Sequence, residues 1–173
     1  MTSALVQARI AGFFWMICVV AGICGLLVAH GTHLGHDLVL VAGAAYLVVT
    51  VVLYVLLRPV DATVSALAAA FGVIGIATTG DSSYYFGFQC ILIGYLVLRS
   101  TFLPRALGAL MMLAGIGQLV FLSTLLPAPL QARLAPIGYI SDGIGEIALA
   151  LWLLIFGIHL AQWQKSSHQI QYS

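Results

Sequence analysis

Asp142 and Glu146, in the stretch SDGIGEIALALW, are the residues whose type and spacing come nearest to chemistry. Four apart, they share one face of any helix that carries them. A carboxyl pair in an oily setting can give and take protons as general acid and base. The same pair can also serve as glue, bonding amides, phenols and backbone of neighbouring helices. Residue type alone leaves both roles open. A second candidate is AHGTHLGHD, residues 29–37, which gathers three of the five histidines. His30, His33 and His36, with Asp37 beside them, are ligand types for a divalent metal such as zinc or copper. Against that, positions three and six apart drift around a helix, and Gly31 and Gly35 favour a loop. A short polar turn at a membrane interface is the plainer account. His159 stands alone, so no facing pair for haem exists. Cys18, Cys24 and Cys90 form no CxxC pair and read as small buried hydrophobes.

The elements that must position these groups follow from composition. Of 173 residues, 62% are hydrophobic and 6% charged, and the mean hydropathy is +1.13. Soluble domains carry roughly 25% charged residues. Six basic and five acidic side chains cannot clothe a water-soluble fold, so lipid must solvate most of the surface. The net charge of +1 leaves no basic footprint for nucleic acid. No linker or low-complexity block divides the chain, which reads as one domain.

Six segments suit transmembrane helices, which need about 20 apolar residues: residues 10–29, 38–57, 62–79, 84–102, 106–126 and 137–162. The expected fold class is all-α, an integral membrane bundle of six transmembrane helices. The first run is too long for a signal-peptide core and reads as a retained helix. With both termini cytoplasmic, Arg9, Arg58, Arg99, Arg105 and Lys165 fall inside and only Arg133 outside, as the positive-inside rule favours. The expected location is the cell (inner) membrane, with the histidine stretch outside.

Counting 1.5 Å per residue places Asp142 roughly 7 Å and Glu146 roughly 13 Å below the outer end of the last helix. On the same count, Gln89, Gln118, Tyr46 and Tyr85 fall in the outer half. Intramembrane polar groups are costly and mark function by default. A pocket open to the extracytoplasmic side is therefore expected, floored by Glu146. Asp142 and Glu146 would be its acid–base pair. Gln89, Gln118, Tyr46 and Tyr85 would bind substrate, the amides bonding the carboxylates.

Four stretches together resemble a family of bacterial multi-pass membrane proteins catalogued as a domain of unknown function: ARIAGFFWMICVVAGICG, YVLLRPVDATVSALAAAF, GYLVLRSTFLPRALGALMMLAGIG and GEIALALWLLIFGI. The resemblance implies a membrane helical bundle and no established activity. Glu146 matches the family's late GE or AE position. The chain departs from the family in the short link TTGDSSYYFGF, in an uncharged third helix, and in the triple histidine.

Three function classes follow. One is a binder or acid–base enzyme for a hydrophobic small molecule such as an isoprenoid, quinone or lipid. The second is an accessory subunit contacting a membrane-protein partner or a second copy of itself. The third is a proton-coupled transporter, which usually shows internal repeats and a midplane site; no repeat is visible here. No cofactor is required, apart from the divalent metal considered at His30, His33 and His36.

Overall fold

The computed structural model describes residues 3–25, 29, 31–78, 82–122 and 126–170, with no strand among them. The helices are α1 (Ser3–Ile23), α2 (His33–Leu57), α3 (Ala62–Ala77), α4 (Ser83–Arg99), α5 (Arg105–Gly117), α6 (Ala128–Ile155) and α7 (Leu160–Ile170). A π-helical turn, Gln118–Leu122, extends α5. Of these, α1, α2 and α6 are long and apolar enough to cross a membrane; α3 and α5 with its extension are shorter apolar helices. Exposed Val20, Leu47, Val55, Val73, Leu113, Ile144 and Leu151 give the bundle an apolar exterior, which fits hydrocarbon better than water.

Local signals explain most boundaries. Asp61 caps α3 by accepting from Val64 N at 3.0 Å, and α5 begins just after Pro104. Three segments differ from the sequence reading. The first, expected over residues 10–29, runs from Ser3 to Ile23. The histidine stretch was expected as a loop, yet α2 starts at His33. Thr32 makes this possible: its Oγ1 accepts from Gly35 N at 3.0 Å and donates to Ala29 O at 2.7 Å. The last helix, expected over 137–162, begins at Ala128 and stops at Ile155. Pro127 and Pro129 fall at its start, where a missing N–H costs nothing, and Pro136 lies within it. Gly157, at φ 70°, supplies the left-handed residue that ends a helix, and α7 follows as a separate amphipathic segment.

Packing runs in a ring. Each of α1 to α6 lies against the next, and α6 closes on α1. Neighbours are antiparallel. A Cβ on Gly12 of α1 would meet Ala150 and Leu154 of α6, while Gly157 lies against Leu5. A second close seam joins α4 to α5. A Cβ on Gly94 would meet Gly108 O at 2.7 Å, and a Cβ on Gly87 would meet Gly115 O at 3.1 Å. The two glycine pairs are about two helical turns apart, so the backbones touch twice, as small residues allow in membrane bundles. Inside the ring lie Trp15, Tyr46, Val49, Leu53, Cys90, Ile93, Met111, Leu149 and Leu153. At one end α7 is tied down: Trp163 Nε1 donates to Leu56 O at 2.9 Å, and His159 N donates to Phe102 O at 3.2 Å.

Candidate functional site

Polar side chains from four parts of the ring meet near its centre. Tyr46 of α2 is 6% exposed and Gln89 of α4 is 1% exposed. The Tyr46 hydroxyl donates to Gln89 Oε1 at 3.0 Å, and Gln89 Nε2 reaches Thr50 Oγ1 at 3.5 Å. Gly72 of α3 leaves the space that this amide fills. On the other side, Gln118 Nε2 donates to Asp142 Oδ1. Gln118 opens the π-helical turn, a distortion that often marks working sites. Glu146, one helical turn below Asp142, faces Cys90, whose Sγ lies 4.0 Å from Glu146 Oε1. Gly145 lets α6 approach Leu110 O and Ala114 of α5, each at 2.8 Å from its would-be Cβ. Both acids are half-buried.

Aromatic rings frame the group. Trp15 meets Tyr46 edge-on at 6.4 Å between centroids, and Tyr46 meets Phe86 edge-on at 5.2 Å. The Trp15 indole N–H is buried beside the Glu146 carboxyl without closing a hydrogen bond to it. The side-chain oxygen of Gln118 is likewise buried without a partner. No basic side chain pairs with Asp142 or Glu146 among the described residues.

The expected residues are thus partly gathered. Tyr46, Gln89, Gln118, Asp142 and Glu146 come together. Tyr85 does not: it stands half-buried in the first turn of α4, and no hydrogen bond or ring contact joins its side chain to the group among the described residues. The amides were expected to bond the carboxylates, and Gln118 does. Gln89 bonds Tyr46 and Thr50 instead, because successive helical residues point about 100° apart. That turn aims Gln89 toward α2 and α3 and leaves Cys90 to face α6. His33 and His36 are exposed at the start of α2, and His30 lies outside the described residues. No metal-ligand grouping includes His33 or His36 among the described residues.

Trp15, Cys18, Cys90 and Thr50 were missed as members of the site. Helical spacing held the clue: Trp15 and Cys18 are three apart, Tyr46 and Thr50 four apart, and Cys90 adjoins Gln89. Cys18 also lies near Glu146.

Two cavities adjoin the group, and neither is lined by Asp142 or Glu146. One, of about 10 Å³, lies among Thr50, Tyr54, Ser65, Ala68, Gln89 and Ile93, barely the room of a single water. The other is a groove of about 380 Å³ on the outer face of α2 and α3, lined by Thr50, Val51, Tyr54, Ala69, Ala70, Val73 and Ile74. Thr50 borders both.

Comparison with known proteins agrees with the resemblance drawn from the sequence. Residues 82–157, which hold Gln89, Cys90, Gln118, Asp142 and Glu146, match the family model described as Domain of unknown function (DUF4386). A protein of Archaeoglobus fulgidus, described as an uncharacterized protein, is 32% identical over 136 residues, covering 66% of this chain and 78% of that protein. No solved structure matches. With the matched segment carrying both acids, their amide and their thiol, the chain belongs to the family described as domain of unknown function DUF4386.

Proposed function

We propose that the protein is a six-span inner-membrane bundle that binds, and acts by acid–base chemistry on, a hydrophobic small molecule of the isoprenoid, quinone or lipid class. One observation carries this reading. Tyr46, Gln89, Gln118, Asp142 and Glu146 reach one place from α2, α4, the α5 extension and α6. Lipid-facing helices pack without such groups, so a gathering of five needs a use. The α2–α3 groove, within the usual range of ligand pockets, supports an apolar tail lying outside with its polar head toward Thr50 and Gln89. Asp142 and Glu146 then exchange protons with the head group, and access is from the extracytoplasmic leaflet.

The antiparallel ring supports the orientation. It brings the start of α1, the ends of α2 and α4, the start of α5 and α7 to one end. These elements carry Arg9, Arg58, Arg99, Arg105 and Lys165. Arg133 lies near the start of α6, at the other end. Lys and Arg of that distribution mark the cytoplasmic side.

The test is purification of the full chain in mild detergent, followed by mass spectrometry of the lipid extract. The wild type is expected to carry one prenyl, quinone or acyl lipid near one per chain. Glu146→Gln is expected to keep the molecule but hold it in an unconverted form. Bulk phospholipid alone, the same in both proteins, would overturn the reading. A second reading is an accessory subunit, favoured by the self-contained Tyr46–Gln89 and Gln118–Asp142 pairs. A stoichiometric protein partner in the same preparation, with no lipid, would select it.

A further inference from the structure

Hydrogen bonding within the chain leaves part of the ring centre unexplained. Cys90 Sγ, an oxygen of Asp142 and an oxygen of Glu146 all lie within 4.8 Å of one another. The approach of Sγ to Glu146 Oε1, at 4.0 Å, is too long to satisfy an acid. Gln118 grips Asp142 with its nitrogen while its own oxygen, in a residue 5% exposed, has no partner. The indole N–H of Trp15, in a residue 0% exposed, is directed at the Glu146 carboxyl and meets no other acceptor. Two acids and a thiol therefore share a basin that no positive group offsets among the described residues, with an unused acceptor at its edge.

We propose that Cys90, Asp142 and Glu146 hold one divalent cation of the borderline-soft class, of which zinc is the type. The donor set decides the class. One thiolate sulfur argues against magnesium and calcium, which take oxygen, whereas zinc accepts sulfur and carboxylate oxygen together. Bonds of about 2.0–2.3 Å in a tetrahedron set ligand atoms roughly 3.3–3.8 Å apart. The three atoms need to close by only about 1 Å from their present spacing to meet that requirement. The surroundings fit an outer shell. Gln118 orients Asp142, and the Trp15 N–H stands at Glu146, in the manner of the groups that aim ligating carboxylates. Three protein ligands leave a fourth position, and the unpartnered Gln118 oxygen is available to a water or ligand atom held there. Binding releases the thiol proton, and any carboxyl proton, to the medium. The inference stands apart from the lipid reading: an ion-holding chain needs no lipid, and a lipid-binding chain needs no ion. Where both hold, Glu146 is a ligand and the cation polarises the head group.

The test uses full-length protein in detergent, stripped by a chelator and titrated with Co²⁺ alone. One Co²⁺ per chain is expected, with a thiolate-to-cobalt charge-transfer band in the near ultraviolet that Zn²⁺ erases. Cys90→Ser should abolish the band. Glu146→Gln should weaken Co²⁺ binding at least tenfold. Cys24→Ser and the double variant His33→Ala/His36→Ala should leave band and affinity unchanged. Absence of the band in the wild type overturns the proposal, as does its survival in Cys90→Ser or its loss in the Cys24 or histidine variants. X-ray absorption at the zinc edge of the loaded wild type needs no variant. One sulfur in the first coordination sphere supports the site, and none overturns it.

Discussion

The Tyr46–Gln89 hydrogen bond offers a direct measure of how dry and how coupled the ring centre is. Its length is 3.0 Å, and both residues are almost wholly buried. Tyr46→Phe removes the donor and strands Gln89 Oε1. A buried acceptor left unmade costs about 1–3 kcal/mol, while hydrogen bonds measured inside membrane bundles average about 0.6 kcal/mol. The burial of this amide argues for a value between them, about 1–2 kcal/mol. Gln89→Met, an unbranched replacement that respects the space left by Gly72, strands the Tyr46 hydroxyl and should cost a similar about 1–2 kcal/mol. With both changes no partner is orphaned across the pair, and Thr50 can turn its hydroxyl to the carbonyl four residues back. The double variant should therefore fall short of the sum of the singles by about 1 kcal/mol or more. Reversible unfolding in mixed micelles, followed by circular dichroism, gives all three values. Additivity within about 0.5 kcal/mol, or a neutral Tyr46→Phe, would refute the picture of a sealed, mutually dependent pair.

Two further outcomes test the scaffold. Gly94→Ala forces a methyl group against Gly108 O and Met112 N, at 2.7 and 2.8 Å, and should cost about 1–3 kcal/mol through overpacking. Gly143→Ala meets no atom within 4 Å and should be neutral or stabilising by about 0.5–1 kcal/mol; equal melting shifts for the two would dismiss the α4–α5 seam. Trp163→Phe removes the bond to Leu56 O and should weaken the docking of α7 by about 1 kcal/mol. Limited proteolysis near residues 156–160 should quicken several-fold at an unchanged bundle melting temperature, and undiminished protection would show that the bond does not hold the segment.

How much was legible in the sequence depends on what each residue signals by type. Asp142 and Glu146 stand out in an oily helix, and their four-residue spacing alone puts them on a shared face. Depth counting also brought Gln118 to Asp142. Residue type gave no signal at Trp15 and Cys90, since an indole and a thiol look apolar in an apolar chain. The partner of Gln89 was not legible either: Gln89 and Cys90 point about 100° apart, and linear spacing does not say which neighbour each one meets. Boundaries behaved similarly. Asp61 and Pro104 punctuate unambiguously, whereas PAP at residues 127–129 reads equally as the end of one helix and the start of the next. The fold uses it as a start. Thr32 turned an expected histidine loop into the first turn of α2 through two short bonds that composition gives no means to weigh against Gly31 and Gly35.

The fastening of α7 governs how this bundle can move. Its hold on Leu56 and Phe102 buckles together the end of α2, the α4–α5 loop and the foot of α6. Helices joined at one mouth can separate only by fanning from it, so displacement grows toward the opposite mouth and is already felt at Gln118 and Asp142, midway along α6. Anything large that reaches the acids must enter through that fanning end, and the buckled mouth stays shut while it does.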